Sequence, residues 1–459
     1  MGTPQPSFIF PLVIGTFTAV SYVFFVVVYT VQPTPFIDEV FHIPQAQKYC
    51  EGRFDEWDPK ITTLPGLYLF SIGLNGPVSW VLGRQLCDVF SLRVTNLVAA
   101  AFMLSTIHKL LIHLHKDKID SWRLMLSALN LSLLPVLYWF TFLYYTDVLS
   151  TLVVLVMVLL HLHHAPTTAA AMGVVAVMMR QTNIIWVGFL CVLMAADILG
   201  SRMLKSPINT LADTKALMKK LKKTATKPYR LAEVLADVVA DCFSYGLVLV
   251  GFLVFVTYNG SIVVGDRSAH EATVHLPQLG YFCLFFLIFS LPYAPNHVRP
   301  FIKLCRRHLA FAVAVLVVGV MVVHSNTLVH PYLLADNRHL TFYLWNKLYG
   351  RLSVIRYIMV PVYMFGAYMI HAFIQQRSFV FKALFVACLV ASVVPHKLLE
   401  FRYFIIPFLL VRMQHVSKNW WQLWIETLYF LLINCLTLYL FVSKTFLWED
   451  SSELQRIIW

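Results

Sequence analysis

Long uncharged apolar runs alternate with short polar segments along almost the entire chain. Runs suited to helical membrane spans fall near 8–31, 92–114, 122–143, 148–164, 168–182, 184–200, 238–258, 279–294, 309–323, 353–373, 379–394, 402–413 and 424–443. The first, from Phe8 to Val31, holds 24 residues without a charge. At about 1.5 Å per residue it is long enough to cross a hydrocarbon core of about 30 Å. No basic n-region precedes it and no small-residue cleavage site comes after it, so it is expected to be an uncleaved anchor. The stretch PGLYLFSIGLNGPVSWVL at 65–82 is apolar enough to span, yet a crossing there would invert every later loop. Gly73, Gly76 and Pro77 weaken a straight span, and a helix lying at or re-entering the interface is expected instead.

Composition agrees with this pattern. The chain is 59% hydrophobic and only 13% charged, where a soluble domain carries about 25% charge. The expected fold class is therefore an all-α polytopic membrane protein, one integral membrane domain over residues 1–459. Its formal net charge of +13 could point to nucleic acid, but the placement of the cations argues against such a partner. Residues 202–230 hold nine Lys or Arg against the single acid Asp213. A basic loop, 201–237, between apolar runs is the signal of the cytosolic side. The loops at 115–122, 295–308 and 374–378 then share that side. The opposite, lumenal side collects a long first loop at 32–64, the turn YYTD at 144–147, RQTN at 180–183, and 259–278, 324–352 and 395–403. The eight cysteines show no CxxC or metal spacing, so neither a disulfide framework nor a zinc site is expected.

The chemistry-bearing residues lie on that second side. The first loop is crowded with carboxylates: Asp38, Glu39, Glu51, Asp55, Glu56 and Asp58. Cations and amides return from later segments: Arg180, Gln181, Asn183, Arg338, His339, Lys397 and Arg402. A carboxylate facing an anion site suits glycosyl transfer from a lipid phosphate sugar. The carboxylate takes the acceptor hydroxyl proton while cations stabilise the departing phosphate. Phosphate is already a competent leaving group, so one carboxylate suffices where a glycosidase needs two. A plainer reading makes Asp38 a helix N-cap and Asp58, before Pro59, a turn residue. A polytopic transporter is the reading from a different class, but no internal repeat supports it.

The ordered motifs carry a resemblance. DEVFHIPQAQKYCEG with WDPKITTLPGLY, then RQTNIIW, ADNRHLTFYLW and LEFRYFIIP occur between residues 36 and 407. Together they resemble the dolichyl-phosphate-glucose-dependent alpha-1,2-glucosyltransferases of the lipid-linked oligosaccharide pathway. The resemblance implies a GT-C glycosyltransferase fold with about 12–14 transmembrane helices and interfacial helices in the first lumenal loop. It also implies a place in the endoplasmic reticulum membrane. By that analogy Asp38 is the general base, and Glu39 assists it or positions the acceptor. His42, Gln45, Asp58, Arg180, Gln181, Asn183, Asp336, Asn337, Arg338, His339, Lys397, Glu400, Arg402 and Tyr403 are the candidate substrate- and phosphate-binding residues. The implied partners are dolichyl phosphate glucose as donor, a dolichyl-diphosphate-linked oligosaccharide as acceptor, and membrane lipid. No metal and no cofactor are expected. PHKLLEFRY departs from the HKE-x-RF stretch of related mannosyltransferases, since Leu398 and Leu399 separate Lys397 from Glu400. A sister enzyme using another dolichyl phosphate sugar, glucose or mannose, is the alternative.

Overall fold

The protein is described by a computed structural model covering residues 9–116, 118–267, 273–449 and 453–459. Its start upstream of Ile9 and part of the 259–278 loop lie outside the described residues. The described chain is almost wholly helical. In order it forms α1 (Ile9–Val31), α2 (Glu39–Cys50), α3 (Gly66–Leu82), α4 (Val89–His115), α5 (Ser121–Ser132), α6 (Pro135–Trp139), α7 (Thr146–Leu162), α8 (Pro166–Met179) and α9 (Ile184–Leu199). Then come α10 (Leu211–Ala225), α11 (Pro228–Asn259), α12 (Pro277–Phe289), α13 (Pro295–Arg307), α14 (Leu309–Asn326), α15 (Pro331–Ala335) and α16 (Leu340–Leu344). The last helices are α17 (Ser353–Phe373), α18 (Phe379–Val393), α19 (Ile405–Arg412) and α20 (Trp420–Ser443), with a small antiparallel pair after them, β1 (Thr445–Phe446) and β2 (Gln455–Arg456).

Among the described residues seven helical segments are long and apolar enough to cross a bilayer, and α5 with the helix next to it makes an eighth, bent by 63°. The bend falls at Leu134–Pro135, because the proline ring excludes its predecessor from helical geometry and offers no N–H to the preceding turn. The expected single span at 122–143 is therefore a broken one. Of five shorter apolar helices, α7, α8, α12 and α18 account for most of the remaining expected runs, and α3 falls in the 65–82 stretch. The run at 402–413 is corrected: it yields a 3₁₀ turn, Phe401–Phe404, and then the eight residues of α19. At about 1.5 Å per residue such a helix falls far short of a bilayer. The stretch 65–82 folds as one 17-residue helix that continues through Pro77. Likewise α2 continues through Pro44 to Cys50.

The short helices share a reason. α7 begins at Thr146, α8 ends just before Arg180, α18 ends just before the 394–400 passage and α19 starts after Arg402. All four stop at one polar depression, so part of each crossing is replaced by a cavity wall. Every residue from Leu131 to Leu155 is buried, so the YYTD stretch, expected as a tight turn on the lumenal side, is enclosed within the protein. By contrast α11 and α14 present large exposed apolar side chains, among them Leu253 and Phe311, as lipid-facing helices do. α3 approaches α8 closely at Gly66, where an added Cβ would lie 2.6 Å from the Met178 backbone.

The expectation of no disulfide is overturned: Cys50, at the end of α2, is bonded to Cys87, ahead of α4. The 37-residue separation matches no spacing pattern, so only the fold shows the pairing. Gln47 and Gln85 tie the same two segments, donating to the carbonyls of Cys87 and Cys50.

At the far end of the bundle a buried ion pair joins α19 to α20. Arg412 Nη2 lies 2.8 Å from Glu426 Oε1, and Glu426 also accepts from Tyr293 and Asn130. Both charged side chains are almost completely buried. Removing one partner strands the other charge, a loss of about 3–5 kcal/mol. Glu426→Ala is thus expected to lower the thermal unfolding midpoint in detergent by several degrees. An unchanged midpoint would show that the pair contributes nothing net.

Candidate active site

The site is organised by one face of α4. Arg93 and Asn96 lie three residues apart, hence on the same side of the helix. Arg93 is fully buried and forks onto Glu39, with Nε 2.8 Å from Oε1 and Nη2 2.6 Å from Oε2. The same guanidinium donates to the carbonyls of Gln32 at 2.7 Å and Thr34 at 3.1 Å. Glu39 accepts in addition from the backbone N–H groups of Phe36 at 3.0 Å and Tyr144 at 2.6 Å. Asn96 donates to the carbonyls of Leu143 and Tyr145, at 2.6 and 2.8 Å. The passage after α1, the start of α2 and the buried 143–145 segment are thereby bonded to one helix.

Asp38 is carried on this scaffold without being consumed by it. Its backbone is helical and its side chain makes no capping hydrogen bond, so the cap reading fails. The backbone N–H donates to Tyr145 Oη at 3.2 Å. The carboxylate instead meets Arg402 Nη1 at 3.3 Å, and its 41% exposed side chain surfaces the depression. Ile37, the residue before it, has φ of 54°. A β-branched residue there is strained, by about 1–3 kcal/mol, as is common where a reactive group is aimed. Burial pushes the Asp38 carboxyl up, but the Arg402 guanidinium, with His42 and His339, outweighs it and holds the group below its usual range. Asp38 is therefore an anion at neutral pH.

Two cavities meet at this carboxylate. One, of about 350 Å³, is lined by His42, Lys60, Arg180, Gln181, Asn183 and Tyr403 among others. The second, of about 310 Å³, is lined by Asp336, Arg338, His339, Thr341 and Trp459. Asp38, Phe41, Tyr332, Leu398, Glu400 and Arg402 belong to both walls. Arg402 is the hub of the charges: it contacts Asp38, Glu400 at 2.7 Å and Asp147 at 3.7 Å. Arg180 shares Asp147 at 3.0 Å and donates through Nε to Thr146. Two guanidiniums thus serve three carboxylates. A larger depression, of about 600 Å³, opens at the other ends of α7, α8 and α9. It shares no residue with these two, and its Arg202 is paired with Asp237 at 2.9 Å.

The remaining candidates separate into wall and support. His42, one helical turn beyond Asp38, lines the first cavity with it, its Nδ1 2.6 Å from Tyr68 Oη. Burial, then the positive field of Arg402 and Arg180, lower its pKa against the pull of Asp38, leaving the ring neutral at pH 7. Gln181 and Asn183 line that cavity while bonding Thr62 O and Ser150 Oγ. Gln45 instead pins the first loop, bonding Glu56 O and Asp58 N–H, and Asp58 accepts from Lys60 N–H in a turn. Asp336 holds Arg338 through three hydrogen bonds, and burial of its carboxyl is outweighed by Arg338 and His339, so it too stays below its usual range. Asn337 accepts from Trp448. Glu39, Gln45, Asp58, Asn337 and Lys397 line neither cavity.

Sequence reasoning passes over Arg93, Tyr145 and Trp459. Asp147 is marked in the sequence as a charge beside an apolar run that must find a cavity or partner, without being placed among the site residues. Among the described residues no three His, Cys, Asp or Glu side chains are grouped as a metal ligand set. The carboxylates that would recruit a cation already face guanidiniums.

Comparison with known proteins is consistent with these motifs. The DIE2/ALG10 family matches over residues 32–413. The chain is 40% identical over 442 residues to a rat protein named Dol-P-Glc:Glc(2)Man(9)GlcNAc(2)-PP-Dol alpha-1,2-glucosyltransferase, covering 93% of each chain. It is 38% identical to a protein of the same name from Drosophila melanogaster, covering 92% of this chain and 93% of that one. The Arabidopsis thaliana protein of that name is 32% identical, with 95% and 96% covered. No solved structure matches the chain.

The geometry makes Asp38 and Glu39 separable by experiment. Glu39→Ala leaves Arg93 buried and unpaired and is expected to cost about 3–5 kcal/mol of stability. Asp38→Asn, at a cavity wall, is expected to keep the thermal midpoint within a degree or two of the parent. Equal losses in the two variants would contradict the division into support and free carboxylate.

Proposed function

The chain belongs to the DIE2/ALG10 family, and on that premise we propose that it is an inverting dolichyl-phosphate-glucose-dependent alpha-1,2-glucosyltransferase. It moves glucose from dolichyl phosphate glucose to the terminal glucose 2-hydroxyl of a diglucosylated dolichyl-diphosphate oligosaccharide. The observation that carries this reading is the ionised Asp38 at the junction of two cavities whose walls bear Arg180, Arg402, Arg338 and His339. An acceptor hydroxyl must reach the carboxylate while the donor phosphate lies on the far side of the anomeric carbon, and two joined cavities provide for that.

In the proposed step the acceptor oxygen attacks the anomeric carbon from the face opposite the phosphate. Asp38 takes its proton, the new glycosidic bond forms, and the bond to the phosphate oxygen breaks with its electron pair leaving on dolichyl phosphate. A single displacement turns a beta-linked donor into an alpha product and needs no covalent sugar intermediate. Arg338 and His339, with Arg402, offset the charge that grows on the phosphate. Glu39 is a positioning residue that acts through Arg93. Donor and acceptor are thus lipid-borne, and no metal takes part.

The helical architecture and the acid immediately after the first span suit the GT-C fold. Two observations support a lumenal site in the endoplasmic reticulum. The Cys50–Cys87 bond on the site face fits an oxidising compartment, and the nine cations of 202–230 lie at the other end of the helices, as for cytosolic loops.

Purified protein with the glucose donor and diglucosylated acceptor is expected to form an alpha-1,2 product, unaffected by EDTA. Asp38→Asn is expected to lose about 10²–10⁴-fold in rate. Full activity of that variant would remove Asp38 as base, activity abolished by EDTA and restored by manganese or magnesium would require a metal, and transfer from dolichyl phosphate mannose alone would identify a sister enzyme. The pH dependence is set by the two shifts. Asp38, lowered, stays ionised above the usual aspartate range near pH 4, and its contribution to stability is lost only below that. His42, also lowered, stays neutral above pH 6.5. The rate is therefore expected to be level from pH 6.5 to 8 on the acid side. A descending acid limb centred at pH 6.5 or above would mean His42 titrates as a solvent-exposed histidine.

A further inference from the structure

The 336–340 loop, which places Arg338 and His339 on the second cavity, is bonded at nearly every residue to a segment more than a hundred positions away. Ile458 N–H donates to Arg338 O at 2.7 Å, and Leu340 N–H donates to Ile458 O at 2.8 Å, forming a parallel bridge between Ile458 and His339. His339 Nδ1 lies 3.0 Å from the main-chain oxygen of Trp459. That oxygen only accepts, so Nδ1 carries a proton, and Nε2 lies 3.8 Å from Asp336 Oδ2. Trp448 donates its indole N–H to Asn337 Oδ1 at 2.8 Å, and its ring lies under the Arg338 guanidinium, 4.6 Å from the centroid. Trp459 lines the second cavity, its ring packed against Phe289 and Phe401.

The segment is itself anchored by a buried cation. Among the described residues Arg456 has no carboxylate within ion-pair distance; it donates to Val31 O, Phe441 O and Gln32 Oε1 at 2.9, 2.9 and 3.3 Å. One guanidinium therefore closes the carbonyl ends of both α1 and α20, where the helix dipoles favour positive charge. Ile458, fully buried, completes the seat.

From this arrangement we propose that residues 445–449 and 453–459 form a strap that positions Arg338 and His339 for the donor phosphate, with Trp448 and the Ile458 backbone as its working contacts. The inference rests on the assignment of that pair to the phosphate under the proposed function. It assigns positioning roles to a segment beyond the stretch that the family match covers.

The test is steady-state kinetics of the full chain in detergent, varying dolichyl phosphate glucose and the diglucosylated acceptor separately, with thermal midpoints measured in parallel. Ile458→Pro removes the N–H bonded to Arg338. Trp448→Ala removes the ring under its guanidinium, and Trp448→Phe keeps a ring there. A guanidinium over an aromatic face is worth a factor of about 2 to 30 in binding. Ile458→Pro and Trp448→Ala are expected to raise the donor KM roughly tenfold with acceptor KM unchanged, the midpoint unchanged in Trp448→Ala and lowered in Ile458→Pro, which also loses a buried side chain, and Trp448→Phe within about twofold of the parent. Either of them combined with Arg338→Gln is expected to add little to Arg338→Gln alone. The strap is refuted if Arg338→Gln raises the donor KM while Ile458→Pro and Trp448→Ala do not. It is refuted equally if both KM values and the midpoint move together, which is the mark of general destabilisation. An unchanged donor KM in Arg338→Gln overturns the phosphate assignment itself, and the strap with it, by a result the other outcomes do not share.

Discussion

The Glu39–Arg93 pair is the constraint on which the catalytic face depends. Two opposite charges without solvent contact are costly to bury, and such a pair is often no more stabilising than apolar residues of the same size. Its return is geometric. Three stretches distant in sequence, the passage from α1 into α2, the first turns of α4 and the 143–145 stretch, meet on two side chains with every bond directed. The residue after Ile37 then has one place to be, and the strained backbone there is held by partners on both sides.

The consequence of that placement is electrostatic. Asp38 is near enough to Arg402 to remain ionised and far enough from it, at 3.3 Å, to keep an edge for a substrate hydroxyl. Arg402 in turn is shared with Glu400 and Asp147, so its charge is balanced before any anion arrives. The buried Asp147 gives the pair Arg180 and Arg402 a fixed counter-charge deep in the helix bundle. Several helices stop short around this cluster, which is how an apolar bundle houses charged groups without exposing them to lipid.

The membrane character and most span positions are legible in the sequence because hydropathy is a local property. Asp38 is legible because it stands beside the first span within an ordered set of motifs. Glu39 reads there as an assistant to Asp38 or a residue that positions the acceptor, since its partner Arg93 lies 54 residues away and nothing local marks the pairing. Gln45 and Asp58 look like sugar ligands, yet they brace the loop to each other. Cys50 and Cys87, Asp147 with Arg402, and the strap against His339 share this difficulty, for each is a contact of long sequence separation without a periodic signal. Where the sequence misleads at short range, at 122–143 and 402–413, the reason is that apolar composition does not reveal a proline break or a helix cut short by a cavity.

The central claim is that one carboxylate, Asp38, stands between donor and acceptor. The most direct measurement is an experimental structure with an unreactive donor analogue and the diglucosylated acceptor bound together. The account predicts the acceptor 2-hydroxyl within about 3.2 Å of the Asp38 carboxylate, with the donor phosphate on the Arg338 and His339 side. An acceptor hydroxyl seated against Asp147, Glu400 or Asp336, with Asp38 still closed onto Arg402, would contradict it.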